Sequence, residues 1–218
     1  MAATAGLGAA RWAASVSPVS AEEGSSGVAS TIVLPISRYP QLLDRSRWRE
    51  HGFASAEDSD VWSDRACGVA CVAMLIDFVT GEPVSVVDLL HAGRDLGAYC
   101  DRGWLHVGLA DLLTSRGIPA MADQIDSVHD LAPILRGGCP VIASITLHFP
   151  ENGSRGGHLV LVTGVTCEAD RVVSVHFNDP SRWGAENNVV LAERFAASFT
   201  GRVVRTLAPV AAPRRVDA

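Results

Sequence analysis

The chain has 218 residues, 48% hydrophobic and 19% charged, which suits one globular domain with a substantial core. Its formal net charge of −6 and scattered basic residues give no electrostatic footprint for nucleic acid or an anionic membrane surface, so polyanion binders are excluded. No apolar run approaches the roughly 20 residues needed to span a bilayer.

In chain order, residues 1–30 read as a flexible tail rich in Ala, Ser and Gly. They lack a basic stretch followed by a continuous apolar one, and Arg11 interrupts the most apolar part, so a secretory signal is not expected. TIVLPI (31–36) reads as a short strand and FASAEDSD (53–60) as a polar connection. From Cys67 to Val79, apolar residues recur at helical spacing and Gly81 stops the run, which predicts a buried helix. A second helix starts at Ser85, with Asp88 three residues on in a capping-box spacing. A third ends at Gly117, and a fourth is capped by Ser127 and stopped at Gly137 and Gly138.

The composition then changes. CPVIASITLHF, GHLVLVTGVTC and RVVSVHFND are rich in β-branched residues and separated by Gly, Asn and Asp, which predicts three consecutive antiparallel strands. A last helix (VLAERFAASF) and a last strand (GRVVRTL) follow. Helices first and a meander afterwards predict an α+β domain over residues 31–208, a helical layer packed on an antiparallel sheet, with 209–218 as a second tail.

Cys67 at a helix start would meet unpaired amides and the positive end of the helix dipole, which favour a thiolate. Gly68 directly after it has no side chain to obstruct a carbonyl approaching the same amides, as an oxyanion site requires. Cys71, one turn on, is expected to face the core. Taken alone, a cysteine at a helix start is usually structural. A nucleophilic thiol needs a base, and the base an orienting acceptor. Of seven histidines, His158 stands out, because it follows Gly156-Gly157 and opens a strand. The next strand ends at Asp179, and adjacent antiparallel strands bring the start of one beside the end of the other. As a lone feature, Asp179-Pro180 is an ordinary turn signal. Trp104 and His106 either line a cleft or anchor a helix entrance, and Asn178 and Trp183 carry the same ambiguity.

RACGVACVAMLIDF, GWLHVGLADLL and GGHLVLVTGV, in this order, resemble the papain-like cysteine peptidases, and among them stand-alone members of the bacterial double-glycine leader peptidase family. The resemblance spans roughly residues 36 to 180. It implies a papain-like fold, a peptide or amide substrate, and no metal or organic cofactor. It assigns Cys67 as nucleophile, His158 as general base and acid, Asp179 as orienting carboxylate and Gln41 as oxyanion donor. Gly68, Trp104, His106 and Gly157 are the expected substrate-binding residues. Gln41 lies 26 positions before Cys67, farther than in the exporter peptidases, and Ala66 stands where those carry an acidic residue.

Other readings stay open: a thioester-forming acyltransferase or cyclase on the same triad, or a catalytically silent papain-like binding module. A zinc site at Cys67 and Cys71 lacks the second close pair of ligands such sites show. Five cysteines cannot all pair, which points to reduced thiols and a cytoplasmic location.

Overall fold

A computed structural model of the chain describes residues 29–169 and 171–209. The expected tails lie outside these residues, except that 29 and 30 belong to the first strand and 209 is described. In chain order come β1 (Ala29–Val33), α1 (Ala56–Arg65), α2 (Cys67–Thr80), α3 (Val86–Asp95), the short strands β2 (Tyr99–Cys100) and β3 (Gly103–Trp104), α4 (His106–Ser115), β4 (Ala120–Gln124) and α5 (Leu131–Arg136). Then follow β5 (Val141–Ile145), β6 (His158–Glu168), β7 (Arg171–Asn178), β8 (Val189–Leu191), α6 (Ala192–Ser198) and β9 (Arg202–Thr206).

The main sheet runs β4-β9-β5-β6-β7-β8 and every pairing is antiparallel. β6 is the hub. Its first half pairs with β5, Ile145 opposite His158, and its second half pairs with β1, Val33 opposite Gly164. β7 lies along its other edge. Gly164 is required there, since a Cβ would fall 2.2 Å from the Ile32 carbonyl oxygen. The three strands expected to be consecutive neighbours are so. The last strand lies between β4 and β5.

Side chains alternate across β5, β6 and β9 into two apolar cores. Ile142, Leu159, Leu161 and Val204 join α2, α3 and α4 on one face. Val141, Ala143, Val160, Val162 and Val203 join α5 and α6 on the other. The single helical layer expected from the sequence is thus helices on both faces, and for that reason the strands read as almost unbroken apolar runs. α2 is apolar all round because it is buried all round, from Cys67 to Phe78 with Asp77 the one half-buried exception, and it stops at Gly81 in the left-handed region.

The stretch read as a polar connection is largely α1. Ser55 caps it by accepting from the Asp58 N–H, and Glu57 and Asp58 complement its dipole. Its buried positions are Ser59 and Ser63, so no apolar stripe announces it.

Candidate active site

α1 and α2 meet at Ala66, which has no side chain able to cap α2. The first internal bond of α2 is Ala70 N–H to the Ala66 carbonyl, so the amides of Cys67 and Gly68 belong to the unpaired donors of a helix start. Cys67 is 9% exposed and borders a cavity of about 610 Å³. Trp104, His106, Gly157, His158 and four arginines, 65, 102, 155 and 202, border the same cavity.

His158 is placed by its neighbours on both sides. Gly156 and Gly157 both adopt positive φ, +84° and +91°, a conformation that favours glycine, and they turn the chain into β6. Behind the imidazole, Nε2 lies 2.8 Å from Asp179 Oδ1. The Cys67 side chain lies close enough to the ring to raise its pKa as well. Burial by itself would push the imidazolium down. The hydrogen bonds to Asp179 and Cys67, with their charges, outweigh it and hold His158 up at about 9.

Asp179 is fully buried, 0% exposed. Burial would raise its carboxyl, but the His158 bond and charge and the Ser181 N–H, 2.7 Å from Oδ1, hold it below the usual range. Oδ2 is buried with no hydrogen-bond partner. The turn carrying Asp179 is clamped from the N-terminal segment. Arg38 Nε donates to the Asp179 carbonyl at 2.6 Å and its NH2 to the Ser181 carbonyl at 2.5 Å, while Gln41 N–H donates to the Pro180 carbonyl at 2.8 Å. Gly184 closes the turn, since a Cβ there would lie 2.1 Å from the Asp179 carbonyl oxygen. Sequence reasoning missed Arg38 and Gly184. A lone arginine in an irregular segment and a glycine in a polar turn carry no pattern to find them by.

The fold brings Gln41 to the segment just before the cysteine. Its side chain is 6% exposed, and Nε2 lies 3.1 Å from both the Ser63 and Asp64 carbonyls. Both amide hydrogens are directed at these carbonyls, and Oε1 is buried without a partner. Gln41 does not border the cavity.

Gly68 is buried, and the space beside it holds the Trp104 indole: a Cβ would sit 2.7 Å from Trp104 Cγ. Gly93 meets the far side of the same ring, 2.8 Å from Cζ3, and Trp104 Nε1 donates to the Arg65 carbonyl at 2.6 Å. Trp104 is therefore both a core anchor and part of the cavity wall. His106 opens α4 with Nε2 buried and unpartnered, and burial, then the charge of Arg202, pushes its pKa down. Trp183 stacks on Phe177 and approaches Phe149, away from the cavity, and Asn178 donates to the Ile36 carbonyl.

Cys71 faces the core as expected. Its Sγ donates to the Leu159 carbonyl at 3.6 Å, and burial, with the charges of Cys67 and Asp179, pushes its thiol well up. All five cysteines are free. Among the described residues no cluster of His, Cys, Asp or Glu is arranged to hold a metal ion, and no helix is long and apolar enough to cross a membrane.

The sequence profile of the Peptidase_C39 like family matches residues 34–203. No curated protein matches the chain. Among solved structures, a putative C39-like peptidase from Bacillus anthracis superposes with a TM-score of 0.55 at 16% identity, covering 84% of this chain and all of that one. That likeness is one of fold. The peptidase domain of Streptococcus ComA, a bifunctional ABC transporter, gives 0.49 at 20% identity over 65% of this chain and 91% of its own. A double-glycine-motif protease of an AMS/PCAT transporter, in complex with a leader peptide, gives 0.43 at 18% over 64% and 83%.

Proposed function

The chain belongs to the Peptidase_C39 like family and is a cysteine peptidase-like hydrolase with an α+β papain-like fold; on that premise we propose that Cys67, His158 and Asp179 form its catalytic triad and cleave a peptide or amide bond. One observation carries the reading: His158, bonded to the buried Asp179, and Cys67 border the same cavity, which is large enough for a peptide segment, and the two side chains are close enough to interact.

The chemistry is acyl transfer to water. Cys67 gives its proton to His158, and the sulfur attacks the carbonyl carbon. The carbonyl electrons move to oxygen, where the Cys67 N–H at the start of α2 and one Gln41 amide hydrogen, released from the Ser63 or Asp64 carbonyl, hold the oxyanion. As the C–N bond breaks, His158 protonates the leaving amine. Water then adds to the thioester, His158 takes its proton, and the acid leaves as the sulfur regains the proton. Asp179 keeps a proton on Nε2, so that Nδ1 faces the sulfur.

The test is alkylation of the folded chain with iodoacetamide near neutral pH, read by mass spectrometry. Rapid single-site modification of Cys67, slowed at least about 10-fold in His158→Ala, is expected. Equal slow labelling of all five thiols would instead favour the silent binding module.

A further inference from the structure

The chain contains no lysine, so all 18 of its basic residues are arginine, and 24 acidic residues outnumber them. Against that background the cavity at Cys67 has the opposite sign. Arg65, Arg102, Arg155 and Arg202 line it, and Asp64 is the one acidic residue on its border. The four guanidinium groups are exposed, and among the described residues none is in a salt bridge. They stand on both walls. Arg65 ends α1 and Arg102 joins β2 to β3 on the helical side, while Arg155 lies in the loop before Gly156 and Arg202 opens β9 on the sheet side.

Elsewhere Arg45 holds Glu57 and Asp60, Arg47 holds Glu50, Arg171 reaches Glu193 and Arg205 holds Asp123, while Arg49 and Arg94 lie over tryptophan rings. Four with no carboxylate among the described residues repel each other around one cavity, a cost that an anionic occupant removes, and Arg65 has only the Trp62 ring, 5.9 Å away, beside it. The planar two-donor edge of arginine matches a carboxylate bidentately, and a cleft with low-dielectric walls focuses the field of like charges on whatever enters. His106 borders the same cavity, and burial, then the charge of Arg202, pushes its pKa down.

Resting on the peptidase reading above, we propose that this cleft selects polypeptides with aspartate or glutamate side chains beside the bond presented to Cys67. Each exposed arginine–carboxylate contact contributes about 2- to 5-fold to affinity, so four together give a preference on the order of 10-fold or more at low ionic strength.

The full-length Cys67→Ala chain, titrated with labelled peptide pools and followed by fluorescence anisotropy, tests this without any turnover. The pools are Asp/Glu-rich, uncharged Ser/Gly-rich and Arg/Lys-rich, each with an amidated or a free C-terminus. The amidated acidic pool is expected to bind tightest. High salt should remove the advantage, as should combined Arg65→Gln, Arg102→Gln, Arg155→Gln and Arg202→Gln, all exposed positions whose replacement leaves the core intact. Equal affinity for all pools, or no binding of any, overturns the proposal, and a preference confined to the free-terminus pools overturns its assignment to side chains. Failure of wild-type Cys67 to react with iodoacetamide sinks the peptidase reading alone, because the binding measurement does not use the thiol.

Discussion

Replacing Asp179 by Asn tests the electrostatic core of the site. The carboxylate supplies His158 with a 2.8 Å hydrogen bond and a negative charge. Without that charge, burial, the largest influence on His158, is opposed by Cys67 alone. The titration of His158 should then fall from about 9 toward the ordinary 6.5. At pH 8 an imidazole titrating at 9 is about 90% protonated and one titrating at 6.5 about 3%, so the supply of the acid that expels the leaving amine drops about 30-fold. Stability follows the same shift. A raised folded-state pKa stabilises fully below the unfolded value of about 6.5, and the contribution, about 3 kcal/mol, is lost as pH rises through about 9. Wild type should therefore lose stability between pH 6.5 and 9 in urea unfolding, and Asp179→Asn should be nearly flat there. NMR titration of the His158 ring, assigned with His158→Gln, reads the shift directly, and peptide hydrolysis at pH 8 reads its kinetic effect. A midpoint that stays above 8 in the variant would refute the reasoning.

Gly68→Ala forces the Trp104 indole aside, an overpacking that costs about 1–3 kcal/mol, or about 2–4 °C in Tm per kcal/mol, with a change in Trp fluorescence; an unshifted Tm would contradict the packing described. Arg38→Ala removes two of the three bonds that clamp the Asp179 turn and should lower Tm by several degrees and kcat/KM by about 10-fold, with the pH dependence of kcat/KM broadened as the His158 bond loosens. Gln41→Ala should lower kcat by on the order of 10²-fold with little change in KM, which steady-state kinetics measures, and a loss below 3-fold would leave the oxyanion to the backbone amides alone.

Much of this molecule is written in local pattern. Cys67 to Val79 announces α2 through apolar residues broken only by Asp77 and through the glycine after them, and β5 to β7 announce themselves through β-branched runs with turns between. His158 and Asp179 were within reach because antiparallel pairing is itself a distance rule: the beginning of β6 and the end of β7 are neighbours by topology. What escaped has no local signature. α1 buries serines, so its face is silent. β4 and β9 pair across about 80 positions, Gln124 opposite Arg202 and Ala120 opposite Thr206, and a register set by that contact cannot be read from five-residue segments. Gly68 has a use that no local pattern shows, since its missing side chain makes room for an indole 36 positions away. Four arginines scattered from 65 to 202 form a patch only after folding.

The Cys71 thiol donates to the Leu159 carbonyl at 3.6 Å, one residue into the strand that opens with His158. The helix that begins with the proposed nucleophile is thereby riveted to the strand that begins with the proposed base, and the Trp104 indole, seated on Gly68 and Gly93, locks the neighbouring helix to the same rail.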